Sequence, residues 1–538
     1  MLEQYLEKYF NFSNFRQGQK EIVESILARK DVLALMPTGG GKSLCYQLPA
    51  ILSDKLTVII SPLIALMKDQ VDALKARGIE AVFINSSLSF EEIEARMAEI
   101  KMKKIKILYI APERLSQKNF IEFLKTLDIF LLAIDEAHCV SAWGHDFRPD
   151  YMLIKNCIKE LKNRPIVGAF TATATPEVKQ DIIKRLELQD PKIFTAGFNR
   201  QNLKFFVQAN LKAGQRPNEV LRIVKSLQGS GIVYTLTRKE AEETAAFLCE
   251  NNIKATFYHA GMQPLQRSQM QNDFMENKFK VIVATIAFGM GVDKADVRFV
   301  IHMGMPASLE GYYQEAGRAG RDSENAYCIL LHSKKDVGLH NYFIQKDKEE
   351  MQRLGKNYAE ISQVIDVKYR QLEKMVEYVE NNKCRRKMIL EYFADLDLNK
   401  INNNCQGCDV CFNFKWQNTL ANLDMDVLQD KNSKHSGSDT VLQTIKLYQQ
   451  KHTLEQIAKI RSLGVRTIFN HLIKWYKSGG DLEIEKFITK QEEQQILQAM
   501  AKASDYQRLR PIKDQLPESV SYEKICCVIA KIQRIDLK

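Results

Sequence analysis

Between residues 20 and 335, short runs of β-branched and other apolar residues alternate with longer stretches of amphipathic character. The short runs predict strands at 31–36 (DVLALM), 56–61 (LTVIIS), 81–84 (AVFI), 107–110 (ILYI), 131–135 (LLAID) and 166–170 (IVGAF). After a break the rhythm returns at 231–235 (GIVYT), 255–259 (ATFYH), 280–284 (KVIVA), 298–302 (RFVIH) and 327–331 (YCILL). Strands that are apolar throughout, with helices between them, imply parallel sheets covered on both faces. Two such series predict two α/β lobes, at 1–205 and 206–336. A highly charged helical stretch and a cysteine group follow at 337–415, then a polar linker at 416–437. The remainder, 438–538, reads almost entirely helical.

A chain of 538 residues exceeds what a single hydrophobic core serves, in keeping with several domains. No stretch approaches 18 uninterrupted apolar residues, and the N-terminus lacks a basic start followed by an apolar run. A cytoplasmic location is therefore expected. The net charge of +11 favours polyanionic partners.

The predicted strand 31–36 runs into Pro37-Thr38-Gly39-Gly40-Gly41-Lys42-Ser43 and then into a helix. A phosphate-binding loop needs this context, because glycines let backbone N–H groups wrap phosphates and the helix start adds its dipole. Lys42 is placed to reach the outer phosphates and the Ser43 hydroxyl to ligate Mg²⁺. Met36 stands where the first glycine of the general pattern usually falls. Asp135-Glu136-Ala137-His138 closes another buried strand: Asp135 is expected to hold Mg²⁺ and Glu136 to orient or deprotonate the attacking water. Arg318 and Arg321, in 314–322 (QEAGRAGRD), supply cations for negative charge developing during phosphoryl transfer. If the lobes face one another, these arginines reach a phosphate held by the first.

Taken together these segments resemble the superfamily 2 helicases and, within them, the RecQ family, over about residues 12–411. Phe15-Arg16-Gln17-Gly18-Gln19 is similar to the family's adenine-recognition motif, which implies that Gln19 reads the base with support from Arg16. The segments 36–50, 61–70, 111–115 (APERL), 135–139 (DEAHC) and 170–175 (FTATAT) resemble its first-lobe motifs. Those at 258–262, 284–302 and 312–322 resemble its later ones. The stretch 143–151 (WGHDFRPDY) is similar to the family's aromatic-rich loop, and Trp143, His145, Phe147 and Arg148 are its expected DNA contacts. Ring faces beside a cation suit single-stranded bases. A packed aromatic corner is the alternative.

Of eleven cysteines, Cys384, Cys405, Cys408 and Cys411 group as C-x20-C-x2-C-x2-C. Four thiolates suit tetrahedral Zn²⁺, and the spacing resembles the RecQ zinc subdomain. An iron–sulfur cluster is the other metal such a group can hold. The remaining cysteines mostly lie in apolar segments and read as reduced core thiols.

After Cys411 the resemblance departs from the family's usual layout, because neither the expected winged helix nor the small helical nucleic-acid-binding domain is found in ordinary form. Residues 452–479 instead read as a helix-turn-helix, with Thr453 capping, Ile457 and Ala458 packing, Gly464 turning and Arg466-Thr467 opening the second helix. This is similar to the module appended to some bacterial RecQ-like helicases, and a helical packing module without DNA contact is the alternative. The resemblance implies two RecA-like lobes and an ATP-dependent 3′→5′ DNA helicase acting in repair or recombination. Its cofactors would be ATP, Mg²⁺ and Zn²⁺. Expected partners are single-stranded, duplex and branched DNA together with single-strand-binding or repair proteins, and the chain is expected to be monomeric.

Overall fold

The structure is a computed structural model that describes residues 2–401 apart from 38, 145 and 290–293. It continues through 404–413, 444–461, 465–477, 480–502, 512–513, 515–517 and 520–535. Thr38, His145, Gly464 and the expected linker 416–437 thus lie outside the described residues. The chain divides into two compact units, Met1–Leu423 and Asp424–Lys538.

The first unit holds two wholly parallel sheets. One contains β1 (Val32–Leu35), β2 (Leu56–Ile60), β3 (Ala81–Ile84), β4 (Ile107–Ile110), β5 (Ile129–Ile134), β6 (Ile166–Thr171) and β7 (Lys192–Thr195). Their order is β3-β4-β2-β5-β6-β1-β7. Successive residues of one strand serve opposite faces: Leu33 and Leu35 join one hydrophobic cluster, Val32 and Ala34 the other. Helices cover both faces, which is why these strands are apolar throughout. Asp31, buried at the start of β1, accepts from Arg164 at 2.5 Å and from the amides of Val167 and Gln189 at 2.9 and 2.8 Å. It thereby ties β1 to β6 and to the approach to β7.

The second sheet contains β8 (Leu203–Gln208), β9 (Ser230–Tyr234), β10 (Ala255–Tyr258), β11 (Val281–Ala284), β12 (Val297–His302) and β13 (Ala326–Leu331), in the order β10-β11-β9-β12-β13-β8. All eleven strands read from the sequence form, with β7 and β8 in addition. β8 pairs with β13 from Leu203 onward, so the expected division after residue 205 falls inside a strand. The connector between the sheets is 196–202.

Two long helices, Lys335–Arg353 and Tyr358–Glu380, follow the second sheet and lead into the cysteine group. That group lies against the free edge of β8. The Phe205 amide donates to Gly407 at 2.8 Å, and the Asp409 amide donates back to Phe205 at 3.0 Å. Sheet edges left open invite foreign strands, and this one is covered by the knuckle.

In the second unit, helices Leu454–Arg461 and Val465–Lys477 form the helix-turn-helix pair, followed by Lys490–Lys502 and Tyr522–Ile535. Thr453 caps the first helix reciprocally with Gln456, at 3.3 and 3.0 Å. Ile457, Ala458 and Ile468 pack together, while Phe469, Leu472 and Ile473 enter a larger core with Ile484, Ile496 and Val528.

Candidate nucleotide cleft, aromatic loop and cysteine cluster

β1 ends at Leu35 and the helix Lys42–Leu52 begins seven residues later. Gly39 and Gly41 both adopt φ of 79°, in the left-handed region that glycine enters without penalty. Side chains from the start of the chain brace the loop. Gln19, 3% exposed, donates its amide to the carbonyls of Gly40 and Gly41, both at 3.2 Å. Its amide oxygen accepts from the Arg16 backbone at 2.8 Å, and the Arg16 guanidinium donates to the Gly39 carbonyl. A Cβ on Gly41 would meet the Gln19 amide nitrogen at 2.4 Å, so this glycine is required for close approach as well as for conformation.

Parallel strands release all their carboxyl ends on one edge, so the β1 and β5 loops meet there. Lys42 Nζ lies 3.8 Å from Glu136 Oε1, with both side chains largely enclosed. Glu136 has φ of 48°, uncommon for a non-glycine residue and of the kind that collects at functional sites. The Asp135 carboxyl is pushed up to about 7, first by burial and then by the neighbouring Glu136 charge, against which Lys42 acts. A divalent cation beside it would reverse that balance. His138 Nδ1 is 2.8 Å from the Thr171 hydroxyl and 3.4 Å from Glu136, joining the acidic turn to the end of β6.

From the second sheet, Arg321 reaches this loop. A Cβ on Gly39 would lie 3.1 Å from the Arg321 Cγ. Arg318 is 4% exposed and lies near Gly289 and Gln314, beside a cavity of about 1110 Å³. The helix Leu309–Ala316 ends just before them, and the turn that follows carries both arginines. Lys42, Asp135 and Glu136 thus meet at the ends of β1 and β5, and Arg321 of the second lobe reaches Gly39 in the loop that leads to Lys42.

The aromatic loop connects physically to these residues. Tyr151 donates its hydroxyl to the Asp135 carbonyl at 2.9 Å. Arg148 is held by Asp146 at 3.0 Å and donates to the Pro62 carbonyl at 3.2 Å. Phe147 lines the cavity together with Met152, Thr235, Phe343 and Gln371. Trp143 is half-buried and bears Arg370 over its ring.

The four cysteine sulfurs all lie within 4.8 Å of one another, with Cys384 and Cys408 3.9 Å apart. A single Zn²⁺ with Zn–S bonds of about 2.3 Å places sulfurs about 3.8 Å apart. A cluster of several irons spreads its thiolates wider. Backbone amides of Cys405 and Cys411 point at Cys411 and Cys408 sulfur, both at 3.4 Å, a donor arrangement that favours thiolates. The residues present fit one tetrahedral ion.

Several contributors were not read from sequence. Arg200 and Asn202 in the connector hold the arginine-bearing turn, Arg370 and Gln371 hold Trp143, and Tyr151, read only as part of the aromatic loop, holds Asp135. None belongs to a periodic pattern, and their partners are 16 or more positions away.

Comparison with known proteins agrees with this architecture. Residues 16–182 match the DEAD/DEAH box helicase model and 215–323 the helicase conserved C-terminal domain. Residues 334–412 match the RecQ zinc-binding domain and 440–529 a helix-turn-helix domain. The ATP-dependent DNA helicase RecQ of Bacillus subtilis is 42% identical over 407 residues, which is 76% of this chain and 66% of that protein. RecQ of Pasteurella multocida is 39% identical over 408 residues, 76% of this chain and 61% of its own length. The chain thus spans just under two thirds of these relatives. The probable ATP-dependent DNA helicase RecS of Bacillus subtilis is 44% identical over 348 residues, 64% of this chain and 70% of that protein. Among solved structures, the DNA-bound DUF1998 helicase MrfA superposes with a TM-score of 0.53 at 18% identity, covering 62% of this chain and 51% of its own. The Mycobacterium smegmatis helicase Lhr, bound to single-stranded DNA and AMP-PNP, gives 0.51 at 18% identity, covering 70% and 57%. At that identity the likeness is one of fold. The 44% identity across 70% of RecS, joined to the zinc-binding match over the cysteine cluster, places the chain in the RecQ family of helicases.

Proposed function

We propose that this chain is an ATP-dependent DNA helicase, in which nucleotide binds between the two sheets and its hydrolysis drives movement along one DNA strand. The observation that supports this reading is the approach of Arg321 to Gly39, which brings the stem of a second-lobe arginine against the glycine loop of the first. The backbone of 39–43 and Lys42 would cradle phosphate, with Thr38 beside them, and Gln19 and Arg16 would stand at the base. Ser43 and Asp135 are the residues that would hold Mg²⁺, which neutralises phosphate charge when bound. Glu136 orients the attacking water, and Arg321 with Arg318 meets charge building on the transferred phosphoryl group.

Cleft closure is then linked to nucleotide state, and the two lobes alternate their grip on a strand in the 3′→5′ direction. Trp143, His145, Phe147 and Arg148 contact bases, and Tyr151 conveys their position to Asp135. Cys384, Cys405, Cys408 and Cys411 would hold Zn²⁺ in a structural role. Duplex and branched DNA in repair or recombination are the proposed substrates, with single-strand-binding or repair proteins as partners of a monomer. Lys42→Ala tests the core of the reading. Loss of DNA-stimulated ATP hydrolysis is expected, while undiminished turnover, or equal stimulation by RNA, counts against it.

A further inference from the structure

The turn that carries Arg318 and Arg321 contains Gly317 and Gly320, the latter at φ of 56°. Glycine gives a chain its greatest backbone freedom, so a turn built on two of them points its arginines consistently only if held from outside. It is held by Arg200. The guanidinium donates to the carbonyls of Gly317 at 2.6 Å, Ala319 at 2.8 Å and Gly320 at 2.6 Å. Asn202 adds bonds to Gly320 at 2.8 Å and Glu324 at 2.9 Å. Arg200 lies in the connector between the sheets, and the connector is itself fixed: Arg386, beside the cysteine cluster, donates to the Arg200 carbonyl at 2.5 Å and to the Leu203 carbonyl at 2.5 Å. Phe198 stacks on Phe393 with centroids 4.3 Å apart.

We propose that Arg200 is a positioning residue for hydrolysis, locking the 317–320 turn so that Arg321 is held against the phosphate loop with Arg318 beside it. Through Arg386 it makes their aim depend on the cysteine module. Three carbonyls bound by one planar, permanently charged fork is a role that lysine cannot copy. The inference rests on the hydrolytic reading of the cleft above. It differs from a purely structural role in that loss of Arg200 should affect turnover and leave ground-state binding alone.

The test uses the full chain with single-stranded DNA at saturation, comparing wild type, Arg200→Ala, Arg200→Lys, Arg321→Ala and the Arg200→Ala/Arg321→Ala double variant. Expected is a fall in kcat of about tenfold or more for Arg200→Ala, with KM for ATP and the DNA Kd within about twofold of wild type. Arg200→Lys should also be slow, and the double variant no slower than Arg321→Ala alone, since both act through one group. Arg200→Lys, which retains the charge, provides the same kcat-against-KM readout if the alanine variant melts early. Wild-type kcat in either folded Arg200 variant, or losses that multiply in the double variant, would overturn the inference and leave the hydrolytic reading standing. A wild-type chain with no ATP turnover would instead remove that reading itself.

Discussion

Arg370 lies over the indole of Trp143, 4.7 Å from the ring centroid, and the adjacent Gln371 donates its side-chain amide to the Trp143 carbonyl at 3.2 Å. A helix leading to the cysteine cluster thus grips the aromatic loop by both its ring and its backbone. A cation–π contact of this kind is worth about 0.5–2 kcal/mol according to how dry it is. Arg370→Ala should therefore free the ring. With Trp416 and Trp475 replaced by Phe, emission from Trp143 is expected to shift to the red and to become more accessible to acrylamide. Unaltered emission and quenching would mean that the contact does not persist in solution.

Gln19 spends its side-chain amide on the phosphate loop. Gln19→Ala removes two bonds to the loop carbonyls and one from Arg16, each worth about 1 kcal/mol. Nucleotide affinity should weaken by about tenfold or more, as read by titration with a fluorescent ATP analogue. An unchanged Kd would show that the loop keeps its shape without this brace.

Asp135 predicts a pH dependence of known sign. In the folded chain it is pushed up to about 7, above the ordinary 3.8 of the free group, so across that interval the folded chain binds the proton more tightly. Stability conferred by the protonated form is complete below the lower value and lost as pH rises through about 7. Without nucleotide or divalent cation, the melting temperature should decline from pH 5 to pH 8 more steeply for wild type than for Asp135→Asn. Parallel slopes would contradict the burial of this carboxyl.

Zinc content is a direct measurement. One ion per chain is expected from elemental analysis, and Cys405→Ser or a strong chelator should lower the melting temperature by several degrees. Because Gly407 and Asp409 pair with Phe205, metal loss should also raise hydrogen exchange along β8. A metal-free preparation with full thermal stability would refute the assignment.

A chain ending at Leu423 isolates the contribution of the second unit. It should retain DNA-stimulated hydrolysis within about twofold while losing displacement on forked or four-way substrates. Equal displacement by both forms would make the helix-turn-helix a packing module.

What the sequence made legible follows from how local each signal is. β5 announces itself because every residue of Ile129–Ile134 is buried, and the loop 37–43 because glycine, lysine and serine sit between a strand and a helix. β7 was missed because its four residues, Lys192–Thr195, lie at an edge with three of them exposed. β8 was missed because it follows a polar connector and draws its cover from residues two hundred positions later. Lys42, Asp135 and Glu136 are identifiable from their immediate neighbours. Arg200 and Arg370 are not, since an arginine in a polar stretch gains meaning only from a partner brought in by tertiary folding.

The uniform direction of the strands has a practical consequence. The loops that carry Lys42, Asp135 and Glu136 all emerge where strands finish, so the rim on which the strands start lies away from them. The exposed bend at Lys103, which leads into β4, belongs to that rim. A dye, affinity handle or inserted peptide placed there would sit on the first lobe as a passive reporter, remote from the loops that carry Lys42, Asp135 and Glu136.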